Sequence, residues 1–305
     1  MKTIFGPINS RRFGRSLGVD LSPDSKQCNF DCLYCELKPA KVVDRQGSVL
    51  PVSQIVADIQ AALSEYKDID VLTITANGEP TLYPHLSELM DAINQIKGSI
   101  KTLILSNAST IAQKETQEAL LKFDSVKLSL DCATSKCFRK LDRPSKSVSL
   151  QAIKEGMLSF KKIFRGDLVI EILIVKNLND NLEEIEELNQ FLLTLQPDRI
   201  DIGTIDRPPA YNIQPVNYEK LRELSLGFDA SLPIVITAKA PKEGLKYNYS
   251  KEDLLQTLAR RPLTKEDIEL LFTLEAKERL QELLEQGSVV EIPSSNTIFY
   301  RTKEK

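Results

Sequence analysis

Short apolar runs alternate with amphipathic helical patterns between residues 17 and 203, and this alternation leaves few folds open to the chain. Strands that alternate with helices of such length predict βαβ units and a parallel sheet. The predicted strands are Leu17–Leu21, Asp70–Thr75, Lys101–Leu105, Ser125–Asp131, Asp167–Val175 and Arg199–Gly203. The helical patterns lie near residues 52–66, 85–97, 111–121, 147–163 and 181–195. Six βα units are too few for a closed eight-stranded barrel. We therefore predict an α/β fold with a partial (β/α)6 barrel, whose site lies at the carboxyl ends of the strands.

A different pattern follows the prolines that interrupt residues 208–241. Helices are predicted at 252–260, 265–272 and 275–286, and two short strands around 293–296 come after them. Thr264 and Asp267 have the spacing of a capping box at the start of the second helix. Three helices followed by a hairpin indicate a winged-helix-like domain over residues 246–305, after a core domain over residues 1–245.

The five cysteines indicate the compartment and the kind of chemistry. An odd number, with three in one loop, is not a disulfide framework and fits metal ligation in a reducing cytosol. Cys132 and Cys137 are predicted to be small buried thiols. The amino terminus lacks the apolar stretch of a signal peptide, and no run approaches the roughly 18 apolar residues of a membrane span. We therefore predict a soluble cytoplasmic protein without membrane contact.

The strongest motif is the loop of Cys28, Cys32 and Cys35, with the spacing C-x3-C-x2-C. It supplies three thiolates and no fourth, whereas a structural zinc site needs four protein ligands. The spacing predicts an iron–sulfur cluster with one iron open to a small molecule. The alternative is a zinc site completed by Cys132 or Cys137, although that second pair does not repeat a ligand spacing.

Polar motifs follow the predicted strands in order. They are Asn77-Gly78-Glu79-Pro80, Ser106-Asn107, Ser129-Leu130-Asp131, and Glu171 with Val175-Lys-Asn177. Together with Tyr34 before the last cysteine, this set resembles the radical S-adenosylmethionine superfamily. The resemblance implies a [4Fe–4S] cluster on the three cysteines and S-adenosylmethionine on its open iron. It further implies that Tyr34, Asn77, Gly78, Glu79, Ser106, Asn107, Ser129 and Asp131 help to seat that cofactor.

Two further segments narrow the resemblance to a group of iron–sulfur oxidoreductases related to wyosine-synthesis enzymes, which modify tRNA. These segments run from Gly6 to Asp20 and from Asp206 to Ala210. The archaeal wyosine enzymes carry a second cluster on upstream cysteines, whereas residues 1–27 contain no cysteine. The resemblance therefore implies the radical machinery and a flavodoxin or ferredoxin as electron donor. A tRNA nucleoside or a protein segment would be the substrate.

Basic residues offer candidate substrate contacts, since arginine can grip phosphate or carboxylate. We select Arg11, Arg12, Arg15, Arg143 and Arg207. The sole histidine, His85, is predicted at the surface.

The carboxyl-terminal residues 250–305 hold nine Lys/Arg and eleven Asp/Glu, which favours a protein contact or substrate lid over binding to a nucleic-acid backbone. Two alternatives remain open, namely an activase that installs a glycyl radical on a partner and a non-catalytic metal-binding regulator.

Overall fold

The computed structural model describes residues 3–10, 13–237, 246–260, 262–294 and 297–303. Its main sheet has eight strands in sequence order. The strands are β1 (Ile4–Ser10), β2 (Gly14–Asp20), β3 (Val71–Thr75), β4 (Lys101–Ser106), β5 (Ser125–Ser129), β6 (Asp167–Ile174), β7 (Arg199–Thr204) and β8 (Ile234–Ile236). Strand β1 is antiparallel to β2, and every later neighbour is parallel. The predicted α/β partial barrel is confirmed.

The sheet has two strands more than the six predicted. Strand β1 lacks a clean alternating pattern because its register with β2 shifts between Phe5 and Ile8. Strand β8 has only three residues and follows Pro233. Both strands are too short or too irregular for periodicity to reveal. They extend the two edges of the predicted sheet and leave its middle unchanged.

Seven helices accompany this sheet within the described residues. They are α1 (Val52–Glu65), α2 (Leu86–Ile96), α3 (Lys114–Leu120), α4 (Ser135–Leu141), α5 (Leu150–Ile163), α6 (Leu182–Leu195) and α7 (Tyr218–Ser225). Five of them overlap the predicted helices, and α4 and α7, of seven and eight residues, were missed. Parallel strands in sequence order with right-handed crossovers place their helices on one face of the sheet.

The other face of the sheet carries an ion network in which Lys127, Arg199 and Asp201 are buried and Glu171 is partly exposed. Lys127 Nζ contacts Glu171 Oε1 and lies 3.0 Å from Asp201 Oδ2, while Arg199 Nε lies 3.0 Å from Asp201 Oδ1. Because side chains alternate along a strand, Val126 on the opposite face is fully buried in the apolar core. Glu171, one of the polar residues that the sequence singled out, therefore has a cationic partner in Lys127.

The carboxyl-terminal elements form a second, smaller sheet with three helices. They are α8 (Lys251–Arg260), β9 (Leu263–Thr264), α9 (Lys265–Leu271), α10 (Leu274–Glu285), β10 (Val289–Ser294) and β11 (Thr297–Thr302), with strand order β10-β11-β9. The three helices, the hairpin and the capping box of Thr264 and Asp267 are confirmed. The winged-helix assignment and the boundary at residue 245 stay predictions.

Among the helices that the structure describes, none is long and apolar enough to cross a membrane.

Candidate active site

The loop with three cysteines leaves β2 at the carboxyl edge of the sheet, as predicted. Cys28, Cys32 and Cys35 are free thiols and partly buried. Gln27 fixes the loop to the end of β3, because its N–H donates to Asn77 O at 2.9 Å and its carbonyl accepts from Glu79 N at 2.9 Å. Gly78, at φ +142°, passes so close that a Cβ would lie 2.0 Å from Gln27 O. Only glycine fits this contact between the two loops.

The sulfur atoms lie among hydrogen-bond donors. Phe30 N–H lies 3.4 Å from Cys28 Sγ, Asn107 Nδ2 lies 3.7 Å from the same sulfur, and Lys26 Nζ lies 3.5 Å from Cys35 Sγ. Burial raises the pKa of the Cys28 thiol to about 12. Burial also raises the pKa of Cys32 well above its ordinary value. Metal ligation deprotonates such thiols outright, and donors to sulfur are typical surroundings of iron–sulfur ligands. The three residues therefore fit a cluster.

Glu79 joins the ends of β3 and β4. Its Oε1 accepts hydrogen bonds from Thr81 N, Thr81 Oγ1 and Ser106 Oγ at 2.7–2.9 Å, and its Oε2 accepts from Asn107 N at 2.7 Å. Burial raises the pKa of Glu79 although these donors oppose the shift. The structure thus brings Glu79, Ser106 and Asn107 together. With four donors already in place, one acceptor position on Oε2 remains for a further donor.

Asn77 supplies a further hydrogen-bond acceptor at the end of β3, close in sequence to Glu79. Its N–H donates to Asp20 Oδ1 at 2.8 Å. Its side-chain oxygen Oδ1 is one of the buried polar atoms that lack a hydrogen-bond partner in the described part of the chain. A buried oxygen without a partner is costly, so a bound ligand with an N–H or O–H group would satisfy it.

Asp131 lies after the end of β5 and is almost fully buried. It accepts hydrogen bonds from Tyr34 OH at Oδ2 and, at 2.7 Å, from Leu173 N at Oδ1. Burial raises the pKa of Asp131 to about 6. Asp131 lines a small cavity together with Tyr34, Asn107 and Ser129. The predicted seat residues Tyr34, Asn107, Ser129 and Asp131 are therefore neighbours in the fold.

Asp142 was missed as a site residue. It is 3% exposed and lines the same cavity. Burial and the nearby Asp131 raise its pKa well above the ordinary value. In the sequence it stood out only as the single acid within the basic stretch 136–146. A single acid within a basic stretch was therefore the one sequence signal that pointed to Asp142.

Two of the predicted substrate arginines lie at the cysteine loop and contact its acids. Arg143 lies 3.2 Å from Asp31 Oδ2 and stacks over the Tyr211 ring at 4.9 Å. Arg207 lies 2.5 Å from Glu36 Oε1. Both cations therefore already have carboxylate partners, and both tie the loop to neighbouring segments.

The remaining basic candidates are elsewhere. Arg15 lies near the start of β2, 3.5 Å from Asp68 Oδ2, at the edge opposite the cysteine loop. Arg11 and Arg12 lie outside the described residues. The His85 side chain is 52% exposed, which confirms its predicted place at the surface.

The expectation of two free thiols at Cys132 and Cys137 is wrong, because a disulfide joins them. Cys132 follows β5, and Cys137 lies in the first turn of α4. The two Cα atoms are 5.6 Å apart, within the usual range for a disulfide. Neither sulfur is available as a fourth ligand to the cysteine loop, so the alternative of a four-cysteine zinc site loses its support.

The chain belongs to the radical S-adenosylmethionine superfamily, whose family model matches residues 23–192. Proteins of this superfamily bind a [4Fe–4S] cluster and S-adenosylmethionine. Within it, the chain is 43% identical over 290 residues to a UPF0026 protein of Helicobacter pylori, a match that covers 94% of this chain and 93% of that protein. The predicted superfamily is confirmed.

Solved structures agree with the fold. SuiB of Streptococcus suis bound to S-adenosylmethionine matches with a TM-score of 0.55 at 22% identity, over 78% of this chain and 56% of SuiB. A structure of TYW1 with a bound lysine–pyruvate adduct is a weaker match and adds nothing to this agreement. Its TM-score is 0.45 at 15% identity, over 95% of this chain and 81% of TYW1.

Proposed function

We propose that the protein is an enzyme that cleaves S-adenosylmethionine reductively and uses the resulting 5′-deoxyadenosyl radical to abstract hydrogen from a substrate. The observation that carries the proposal is the set of three free thiols, Cys28, Cys32 and Cys35, in one loop at the carboxyl edge of a mostly parallel sheet. When bound there, a [4Fe–4S] cluster supplies one electron and an open iron position for the cofactor.

The neighbouring residues would seat the cofactor. Asn77 Oδ1 is a buried acceptor without a partner, suited to the amino group of S-adenosylmethionine. Glu79 holds the ends of β3 and β4 in register and keeps one acceptor position open. Asp131, fixed by Tyr34 and Leu173, retains lone pairs for the ribose hydroxyls. The carboxylates of Glu79 and Asp131 are held by hydrogen bonds within the chain before the cofactor binds.

The test is anaerobic reconstitution with iron and sulfide, followed by reduction with dithionite in the presence of S-adenosylmethionine. We expect 5′-deoxyadenosine and methionine as products. A protein that holds a complete, reduced cluster and yields neither product would overturn the proposal and would favour a non-catalytic regulator.

For the substrate we propose a tRNA nucleoside, because the segments from Gly6 to Asp20 and from Asp206 to Ala210 resemble those of the group related to wyosine-synthesis enzymes. Residues 1–27 contain no cysteine, so this proposal invokes one cluster only. Arg143 and Arg207 are paired with Asp31 and Glu36, so RNA phosphates would have to replace those carboxylates. The electron donor in this proposal is a flavodoxin or a ferredoxin.

Mass spectrometry of tRNA nucleosides from wild-type and deletion cells tests the substrate. We expect one modified nucleoside to disappear from the deletion strain and to return on complementation with the wild-type chain but not with Cys32→Ala. Identical nucleoside profiles in both strains would exclude the tRNA substrate and direct the search to protein segments.

A further inference from the structure

Lys26 comes before Cys28, the first cysteine of the loop, but its side chain contacts Cys35, the last one. Its Nζ lies 3.5 Å from Cys35 Sγ, and its side chain is only 8% exposed. No role in the proposed seating of the cofactor uses this residue. A lysine that loses its hydration needs a compensating interaction, and here the interaction includes a sulfur that the proposed function assigns to the cluster.

Asp31 forms an ion pair with the same ammonium group. Asp31 Oδ1 lies 3.8 Å from Lys26 Nζ. Asp31 Oδ2 accepts a hydrogen bond from Tyr211 OH at 2.6 Å and lies 3.2 Å from Arg143. The acid is therefore fixed by two groups from outside the loop. Lys26 Nζ therefore has both Asp31 and Cys35 as neighbours.

A buried positive charge beside a cluster ligand has an electrostatic consequence. Reduction adds one negative charge to the cluster, so the ammonium group stabilises the reduced form more than the oxidised form. Hydrogen bonds and charges at the sulfur atoms are known determinants of cluster potential, and partial burial weakens solvent screening. The donors found at Cys28 are neutral, namely the Phe30 N–H and the Asn107 amide. Lys26 thus contributes a full charge at Cys35.

We infer that Lys26 acts through Cys35 as a positioning residue that raises the reduction potential of the cluster. The inference rests on the proposed function, which assigns the cluster to Cys28, Cys32 and Cys35. It goes further by naming the residue that adapts the potential of this cluster to its electron donor, with Asp31 holding that residue in place.

The experiment is a redox titration of the reconstituted cluster, followed by electron paramagnetic resonance. We compare the wild type with Lys26→Met, Lys26→Arg and Lys38→Met. Lys38 is the matched control because it lies exposed in the same loop. We expect Lys26→Met to disfavour reduction about tenfold, which is about 59 mV for a one-electron couple. Lys26→Arg and Lys38→Met should keep the wild-type potential.

An unchanged potential in Lys26→Met, or an equal shift in Lys38→Met, would overturn the inference. If Lys26→Met does not retain its cluster, Lys26→Gln provides a neutral but polar replacement with the same expected shift. Should neither neutral variant hold a cluster, Lys26 serves assembly and the tuning role is overturned. A wild-type protein that binds no cluster, or does not cleave S-adenosylmethionine, would instead refute the proposed function.

Discussion

The backbone of Gly78 lies against Gln27 so closely that a Cβ at residue 78 would sit 2.0 Å from the Gln27 carbonyl oxygen. This contact joins the loop after β2 to the loop after β3. It makes the geometry of the three cysteines depend on a residue that lies 43 positions beyond the last of them in the sequence.

Gly78→Ala should therefore separate the two loops. The added methyl group clashes with Gln27, and φ +142° is strained for any side chain, so we expect a cost of about 3 kcal/mol and poor retention of iron. Iron content after reconstitution and urea unfolding measure both effects. Gly98→Ala is the control, because Gly98 also has positive φ but nothing lies within 4 Å of its Cβ position. Equal iron loss in both variants would contradict the prediction.

Cys32→Ala should abolish the visible chromophore of the reconstituted protein and the cleavage of S-adenosylmethionine together, since two thiolates cannot hold the cluster. Cys137→Ala is the control, because its sulfur is in the disulfide with Cys132 and outside the loop. It should retain the chromophore. Absorption spectra and product analysis provide the measurement, and a bleached Cys137→Ala protein would show that the ligand set is assigned wrongly.

Asp131→Asn should weaken binding of S-adenosylmethionine about tenfold, roughly the value of one lost charge-assisted hydrogen bond. The fold should persist because an asparagine oxygen can still accept from Leu173 N, as Asp131 Oδ1 does at 2.7 Å. Calorimetric titration of the reconstituted variant measures the affinity. An unchanged dissociation constant would exclude Asp131 from the cofactor seat.

Lys127→Met should destabilise the fold by about 3 kcal/mol, because it takes a positive charge away from Glu171 and the fully buried Asp201. Lys122→Met removes a partner from the surface pair with Asp91, whose side chain is 61% exposed, and should cost less than about 1 kcal/mol. Urea unfolding of both variants gives the comparison. Similar costs would show that the network contributes no more than a surface pair.

Asp124 should make stability depend on acid pH. Burial acts to raise its pKa, but Lys97 Nζ and the N–H and hydroxyl of Thr102, at 2.8–2.9 Å, hold the pKa of Asp124 below its ordinary 3.8. A lowered folded-state pKa stabilises the protein above about pH 4 and loses this effect as the pH falls through the folded value.

We therefore expect Asp124→Asn to lower the free energy of unfolding by about 1 kcal/mol at pH 7. The loss is smaller than for a buried pair because the Asp124 side chain is 41% exposed and solvent screens its charge. The difference from wild type should shrink below about pH 4. Thermal unfolding across this range measures it, with Asp91→Asn as a control that should show a smaller loss. A difference that grows towards acid pH would mean that the sign is wrong.

The helices and strands of the middle of the sheet could be predicted because each carries its own period. The prediction failed at the edges, where β8 has three residues and β1 changes register. It also failed at α4, a helix of seven residues, although α3 of the same length lies within a predicted helical range. Cys132 and Cys137 were not recognised as a pair, because side chains five residues apart meet only when the backbone between them turns, which their spacing does not show.

The sequence by itself determined the alternation of strands and helices, the three-cysteine loop and the order of the polar motifs, because these depend on local periodicity and spacing. Only the tertiary structure decided which groups meet. Strand ends far apart in the chain converge at one edge of a parallel sheet, so Glu79 meets Ser106 and Asn107, and Asp131 meets Tyr34. Folding likewise placed Lys26 at Cys35 and gave Arg143 and Arg207 carboxylate partners. Ion pairs such as these join residues that are far apart in the chain, so no local pattern in the sequence marks them.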